Sequence, residues 1–332
     1  MVAVLAPLMG AGCGPGSEGA AVLSPGLGLG TPKEISRIVD RSRLGMALAA
    51  AGIRLPVGSN VYAVILDREA PARRFDVYEA GGGSKSIDFW PASSVKLLAA
   101  VGALAFLKTM GFTGAATVTY ASGGTAYVRS LYRSAVVDSS NDAYDSLVEI
   151  AGVEWLNNVF LSAQNGFPET VIQRSYTYAG VISSPAMTVR EGSRELSLPA
   201  RDTAGGYGVA ASGNRSNLAE LTDSVRRVVL HGSLPAQERF AIEAVDALEL
   251  EQDLLAAEGF FEPAVARAVD PRALVYDKPG YVPGDDCVDV AYIDDLDRPE
   301  AFLLGVSTPD DGPACLSLVE VARGTLAFLG SL

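Results

Sequence analysis

Histidine is almost absent: the 332-residue chain has one, His231. It falls in the segment VVLHG, where the last turn of a helix would meet a glycine cap, and an imidazole there serves the helix terminus. A Ser-His-Asp or Cys-His hydrolase, or a histidine-ligated metal centre, would have to be built on that single ring. No metal and no cofactor is therefore expected. Positive charge is also scarce, with 26 Lys and Arg against 39 Asp and Glu and a net charge of −13. Nucleic acid and anionic membrane surfaces would be repelled, which removes both as partners. Cysteine is limited to Cys13, Cys287 and Cys315, and lysine to Lys33, Lys85, Lys96, Lys108 and Lys278. Apolar residues are not scarce: at 48% they are ample for a globular core.

The most apolar stretch, Phe89 to Leu107, reads FWPASSVKLLAAVGALAFL and carries one charge, Lys96. About 14 residues from Ser93 are too few to span a bilayer, so a helix apolar on every face here is a buried one. Its lysine is then buried or lines a cleft. Burial disfavours the ammonium form and moves the group toward the neutral amine, which accepts a proton. Ser93 lies three residues earlier, on the same helix face, with about 5–6 Å between Cβ atoms. A serine nucleophile with an adjacent lysine base has this arrangement. The stretch also fits a core lysine that snorkels its ammonium to the surface from the first turn. Among the five lysines, only Lys96 has a serine three positions before it.

Taken in order, residues 14 to 30 are a Gly- and Ser-rich linker, and Gly26 to Gly30 has no strand before it to make a phosphate loop. Thr31-Pro32-Lys33-Glu34 forms a capping box that predicts a helix through Ile35, Ile38 and Val39 to about Ala51. Val61 to Asp67 and Phe75 to Ala80 alternate as a hairpin around a turn at Glu69-Ala70-Pro71. Residues 111 to 130 read as loops. From Leu131 to Ile150 two helical pieces break at Ser139-Ser140-Asn141, and Gly152 to Gln173 reads as helix followed by a turn at Asn165-Gly166. Residues 177 to 213 read as a long polar loop, Asn217 to His231 as an amphipathic helix, and Leu234 to Phe260 as further helix. Strands return at Ala273 to Tyr276, Cys287 to Ile293 and Ala301 to Ser307, and a helix closes the chain from Leu316 to Leu329. Pairing of the last two strands sets Ser307 near Cys287, and the short loop after it brings Cys315 close enough to bond.

Two further groups complete a pattern: Ser139-Ser140-Asn141 and Lys278-Pro279-Gly280. The first could be an ordinary helix cap, since Ser and Asn favour caps. Yet S-x-x-K at Ser93 and Lys96, then S-x-N, then K-x-G, in this order, resembles the active-site set of the penicillin-recognising serine hydrolases, class A β-lactamases and penicillin-binding proteins among them. The resemblance covers about residues 31 to 330. It implies an α+β fold: a five-stranded antiparallel sheet flanked by the terminal helices, formed from about 31–85 and 265–332, and a helical subdomain over about 86–264 with the cleft between them. Cys13, after the apolar run MVAVLAPLMGAG, resembles the lipidated cysteine of a bacterial lipoprotein signal, though no basic segment precedes it and Gly10 replaces a larger apolar residue; a plain N-terminal segment fits as well. The resemblance implies an exported bacterial monomer, with membrane anchoring only through a lipidated Cys13.

By the same resemblance Ser93 attacks a carbonyl, Lys96 takes its proton, Ser139 relays a proton to the leaving nitrogen and Asn141 holds the substrate's acyl amide. Lys278 supplies positive charge beside Ser139 and the substrate carboxylate. Gly280 and Tyr281 line the substrate strand, and the N–H groups of Ser93 and Tyr281 form the oxyanion hole. Two departures stand out. Pro279 occupies the place of a hydroxyl residue, which requires an edge position in a sheet. After Arg174, Tyr176 falls where class A enzymes carry the glutamate that activates the deacylating water; Glu191 and Glu195 in the polar loop are possible substitutes, though neither sits in the family's local pattern. Three functions follow: a class A-type β-lactam hydrolase, a penicillin-binding-protein-like peptidase or esterase with slow turnover, and a non-catalytic surface binding protein.

Overall fold

In a computed structural model the described residues are 35–38, 41–67, 74–203, 206–210 and 213–332. Cys13, the 14–30 linker, the Thr31–Glu34 capping box and the Glu69–Pro71 turn lie outside them. The chain runs through β1 (Ile35–Ile38), α1 (Arg41–Ala50), β2 (Asn60–Asp67), β3 (Arg74–Gly81), a 3-10 turn (Ala92–Val95) and α2 (Lys96–Thr109). Next come β4 (Thr117–Tyr120), β5 (Thr125–Tyr127), α3 (Val128–Val136), α4 (Asn141–Ala151), the short α5 (Val153–Trp155), β6 (Met187–Glu191) and β7 (Arg194–Leu198). The last part holds α6 (Leu218–Val229), α7 (Ala244–Ala256), α8 (Glu262–Ala268), β8 (Leu274–Asp277), β9 (Gly280–Tyr281), β10 (Asp286–Asp294), β11 (Glu300–Pro309) and α9 (Leu316–Leu329).

The main sheet has the order β1-β3-β2-β11-β10-β8, with β9 also on β10. Five of its strands, β3, β2, β11, β10 and β8, make the antiparallel sheet expected from the sequence. The total of seven comes from two short additions, β1 in parallel on β3 and β9 antiparallel on β10. Side chains alternate across this sheet as the period of two demands. Val61, Ala63, Ala291, Ile293, Phe302, Leu304 and Val306 bury against α1, α8 and α9. Val64, Leu66, Val288, Val290, Tyr292 and Leu303 face the opposite way, against α2 and the helices around it. Cys287 on β10 and Cys315 at the start of α9 are bonded, Cα to Cα 5.8 Å apart, as the strand pairing implied.

Helix α2 is the central element of the second layer. The 18 residues from Ala92 to Thr109 are long and apolar enough to cross a membrane by composition, but 78% of that window is buried in the protein. Close packing is built in: a Cβ on Gly102 would come within 2.4 Å of Leu156.

Several local expectations need correction. Ile35–Ile38 is strand, and the first helix begins only at Arg41. Pairing to the edge of β3 satisfies backbone groups that the capping signal assigned to a helix, an instance of tertiary context overriding propensity. The two regions read as loops, 111–130 and 177–213, contribute a second, four-stranded sheet of order β5-β4-β6-β7. Its strands are only three to five residues long, β5 and β7 have no fully buried residue, and the alternation in β6 covers just Met187 to Val189, so the apolar signal is short. Between Gly152 and Gln173, helix gives way at Phe160 to turns, and 234–243 is irregular before α7.

Candidate active site

The cleft forms where the edge of the main sheet meets the start of α2. β9 passes so close to the 3-10 turn that a Cβ on Gly280 would lie 2.9 Å from Pro91 O and 3.0 Å from Ser93 N. Only glycine permits that approach, and it sets the substrate strand beside Ser93. Ala92, just before the serine, has φ of 48°, and Ser139 has φ of 52°. Non-glycine residues adopt this left-handed conformation at a cost, and here one such residue precedes a site hydroxyl and the other carries one. Pro279 stands between β8 and β9, which among the described strands pair only with β10, so its missing N–H breaks no ladder between two neighbours.

Lys96 is fully buried and does not reach the surface, which removes the snorkelling alternative. Its Nζ donates to Ser139 O, to Asn141 Oδ1 at 2.7 Å and to Ser139 Oγ at 3.4 Å. Lys278 is 1% exposed, and its Nζ donates to the same Ser139 Oγ at 3.1 Å. Neither side chain has an ordinary lysine's basicity. Burial, and then the charge of Lys278, lower the Lys96 pKa to about 7 against an opposing pull from Asp145. Burial lowers Lys278 to about 8, with Asp289 and Asp277 acting to raise it. At neutral pH a large share of Lys96 is thus the free amine, and Lys278 stays mostly charged. Ser140, between Ser139 and Asn141, caps α4 by accepting from Ala143 N at 3.3 Å. The cap thus belongs to Ser140, while Ser139 and Asn141 on either side of it turn to the buried lysines.

A cleft of about 190 Å³ is lined by Trp90, Ala92, Ser93, Asn141, Arg174, Tyr176, Tyr281 and Val282. Ser93 faces it half-buried, and its side chain is not bonded to Lys96, whose ammonium is turned to Ser139 and Asn141. Such bonds often tighten only when substrate arrives. All seven residues expected from the motifs are thus brought together: Ser93, Asn141 and Tyr281 on the cleft wall, Gly280 against the serine turn, and Ser139 bonded to both Lys96 and Lys278.

Of the residues around them, the sequence marked Arg174 and Tyr176 but not their partners. Tyr176 lines the cleft, at the position where the resemblance implied a carboxylate. Its hydroxyl donates to Ala92 O and accepts from Asn214 Nδ2 at 3.0 Å, while its ring stacks on Tyr144 at 4.5 Å. Burial pushes its phenol above the usual range. Asp145 fixes the segment around it, accepting from the N–H of Tyr176 at 2.9 Å and of Thr177 at 3.2 Å. Glu191 and Glu195 are elsewhere: Glu191 accepts from Thr113 N and Oγ1, and Glu195 pairs with Arg190 on the second sheet. Behind Lys278 two buried carboxyls stand close, Asp277 and Asp289. Burial raises the first well above the carboxylate range and the second to about 8, and Phe260 N and Val290 N donate to Asp289. His231 is a structural residue, with Nε2 3.0 Å from Phe240 O.

No protein-family model and no curated protein matches this sequence. Solved structures do. A point mutant of PBP-A, as an acyl-enzyme complex with penicillin G, superposes with a TM-score of 0.60 at 12% identity, over 91% of this chain and 99% of that one. A class A β-lactamase from Mycobacterium abscessus gives 0.59 at 15% identity, over 88% and 98%. A representative class A β-lactamase from Bacteroides cellulosilyticus DSM 14838 gives 0.58 at 10%, over 88% and 99%. The chain therefore has the fold of the class A β-lactamases and PBP-A, as the three motifs implied.

Proposed function

We propose that this protein is a serine acyl-hydrolase that is acylated at Ser93 by a β-lactam or a related amide or ester, and that releases the acyl group slowly. The observation that carries the reading is the pair of buried lysines on one hydroxyl, Lys96 and Lys278 on Ser139, beside a cleft that presents Ser93. A neutral Lys96 takes the Ser93 proton as Oγ bonds to the substrate carbonyl carbon. The resulting oxyanion is held by the N–H groups of Ser93 and Tyr281, one such donor being worth about 2.7–4 kcal/mol. The proton passes through Ser139 to the leaving nitrogen, whose bond to the carbonyl carbon breaks, and the acyl group remains on Ser93. Lys278 keeps Ser139 oriented and faces the substrate carboxylate, while Asn141 holds the acyl amide.

Slow release follows from Tyr176. A phenol pushed above its usual pKa range, with its proton donated to Ala92 O, is a poor base for water. This favours the second reading, a penicillin-binding-protein-like peptidase or esterase, over rapid β-lactam hydrolysis, and the PBP-A mutant is described as an acyl-enzyme with penicillin G. A non-catalytic binding protein of the same fold gains little support, because burying two lysines is costly and a binding surface does not require it. We place the protein outside the bacterial cytoplasm on the strength of the Cys287–Cys315 bond, which suits an oxidising compartment, with anchoring if Cys13 is lipidated. The test is labelling with a fluorescent penicillin: the intact chain is expected to carry label that Ser93→Ala abolishes, and equal labelling of the two would overturn the assignment.

A further inference from the structure

Arg174 lines the same cleft as Ser93. Its guanidinium lies 4.7 Å over the ring of Trp90 and 5.9 Å over that of Tyr176. The backbone beneath it is held on several sides: Arg174 N donates to Asn214 Oδ1 at 2.9 Å, Tyr144 OH donates to Arg174 O at 3.1 Å, and the residue bridges to Val181. Trp90 is fixed in turn through its backbone N–H, which donates to Asp286 Oδ2 at 2.7 Å. Among the described residues no carboxylate pairs with this guanidinium and no acceptor takes its N–H groups. Other arginines of the chain are differently engaged: Arg133 pairs with Asp253, Arg226 and Arg227 with Asp223, and Arg201 donates to three backbone carbonyls.

A guanidinium held over an aromatic ring by cation–π attraction still has its planar fork of N–H donors to offer, a fork that matches a carboxylate bidentately. The anchored backbone and the Trp90 ring restrict where the side chain can go, which reduces the conformational entropy lost on pairing. In a chain of net charge −13, an anion gains nothing from the protein's general field, so a cation held in this way acts locally.

We propose that Arg174 is a specificity-determining residue that pairs with a carboxylate on the substrate, additional to the one facing Lys278. The preferred substrates are then acyl compounds with two acidic groups. The proposal rests on the acyl-enzyme reading for its substrate but not for its anion site, and two measurements separate them. The first compares acylation rates, by intact mass, for benzylpenicillin and carboxybenzylpenicillin, which differ by one carboxyl group on the side chain. The carboxylated compound is expected to react about tenfold faster with the wild type, the worth of one charge-assisted pair, and the ratio is expected to fall to about one in Arg174→Gln. A ratio that Arg174→Gln leaves unchanged overturns the proposal.

The second measurement needs no acylation. Trp90 and Trp155 are the two tryptophans of the chain. In Ser93→Ala, phenylmalonate is expected to change the Trp90 emission saturably and phenylacetate at least tenfold more weakly. Trp155→Phe isolates the signal, and the same titration with both tryptophans serves if that change weakens the fold. Arg174→Gln should remove the difference between the two acids, with Arg174→Lys intermediate. Equal titrations with and without Arg174 overturn the proposal even where penicillins label Ser93. Failure of any penicillin to label Ser93 while phenylmalonate still distinguishes Arg174 would refute the acyl-enzyme reading and leave the anion site standing.

Discussion

Lys278 Nζ donates to Ser139 Oγ at 3.1 Å, a contact between residues 139 positions apart in the chain. It joins the edge of the sheet to the break between two helices and sets a sequence of protonation states. Acylation needs Lys96 neutral and Lys278 charged. The first condition is met as pH rises through about 7, and the second is lost as it rises through about 8. The rate of Ser93 acylation should therefore follow a narrow bell with limbs near those values, belonging to the coupled pair and not to either lysine alone. Lys278→Arg should remove the alkaline limb, because an arginine stays charged. A rate flat from pH 6 to pH 9 would contradict this assignment.

Burial of Lys96 is a stability cost that the proposed acylation requires. Its folded pKa of about 7 lies below the ordinary 10.5, so the unfolded chain binds more protons between these values and the folded state gains stability as pH rises through that window. Lys96→Met removes the penalty and keeps the volume. The variant should unfold at a higher temperature than the wild type, with the largest gap below pH 7 and a gap that shrinks toward pH 10. Acylation should be lost. Calorimetry across pH measures it, and a gap that grew with pH would have the wrong sign.

Gly280 allows β9 to approach the serine turn, and its Cβ would meet Ala92 Cβ and Pro91 O at 2.9 Å. Gly280→Ala must push the strand away from Ser93, moving the Tyr281 N–H out of the oxyanion position. Acylation should fall about 10²–10³-fold, as when one oxyanion donor is removed. The stability loss should be about 1–3 kcal/mol, as for overpacking elsewhere. Unaltered acylation would place the oxyanion donors elsewhere.

What the sequence made legible follows from how locally each feature is encoded. Lys96 could be recognised because one charge in an apolar run is anomalous whatever the tertiary structure. The antiparallel strands could be read as short runs rich in Val, Ile, Tyr and Phe; β10, for one, is buried at every position but its two ends. β1 is strand only because β3 offers an edge, and β7 hides because its side chains are mostly exposed. Asn214 and Tyr144 meet Tyr176 through folding alone: neither carries a local pattern, and Asn214 is 38 positions from Tyr176. The nearest signal was Arg174 itself, two residues before the tyrosine that took the glutamate's expected place.

In the proposed reaction Tyr176 sets how long the acyl group stays on Ser93. Tyr176→Glu puts a carboxylate where its hydroxyl now donates to Ala92 O, and should speed deacylation by about 10²–10⁴, the range of a positioned general base. The most direct measurement is the intact mass of the protein over time after mixing with benzylpenicillin, for the wild type, Ser93→Ala and Tyr176→Glu. The account predicts a wild-type adduct of one penicillin that persists for many minutes, none on Ser93→Ala, and a short-lived adduct on Tyr176→Glu with hydrolysed drug accumulating. A wild-type adduct that decays within seconds, or one that forms equally on Ser93→Ala, would contradict it.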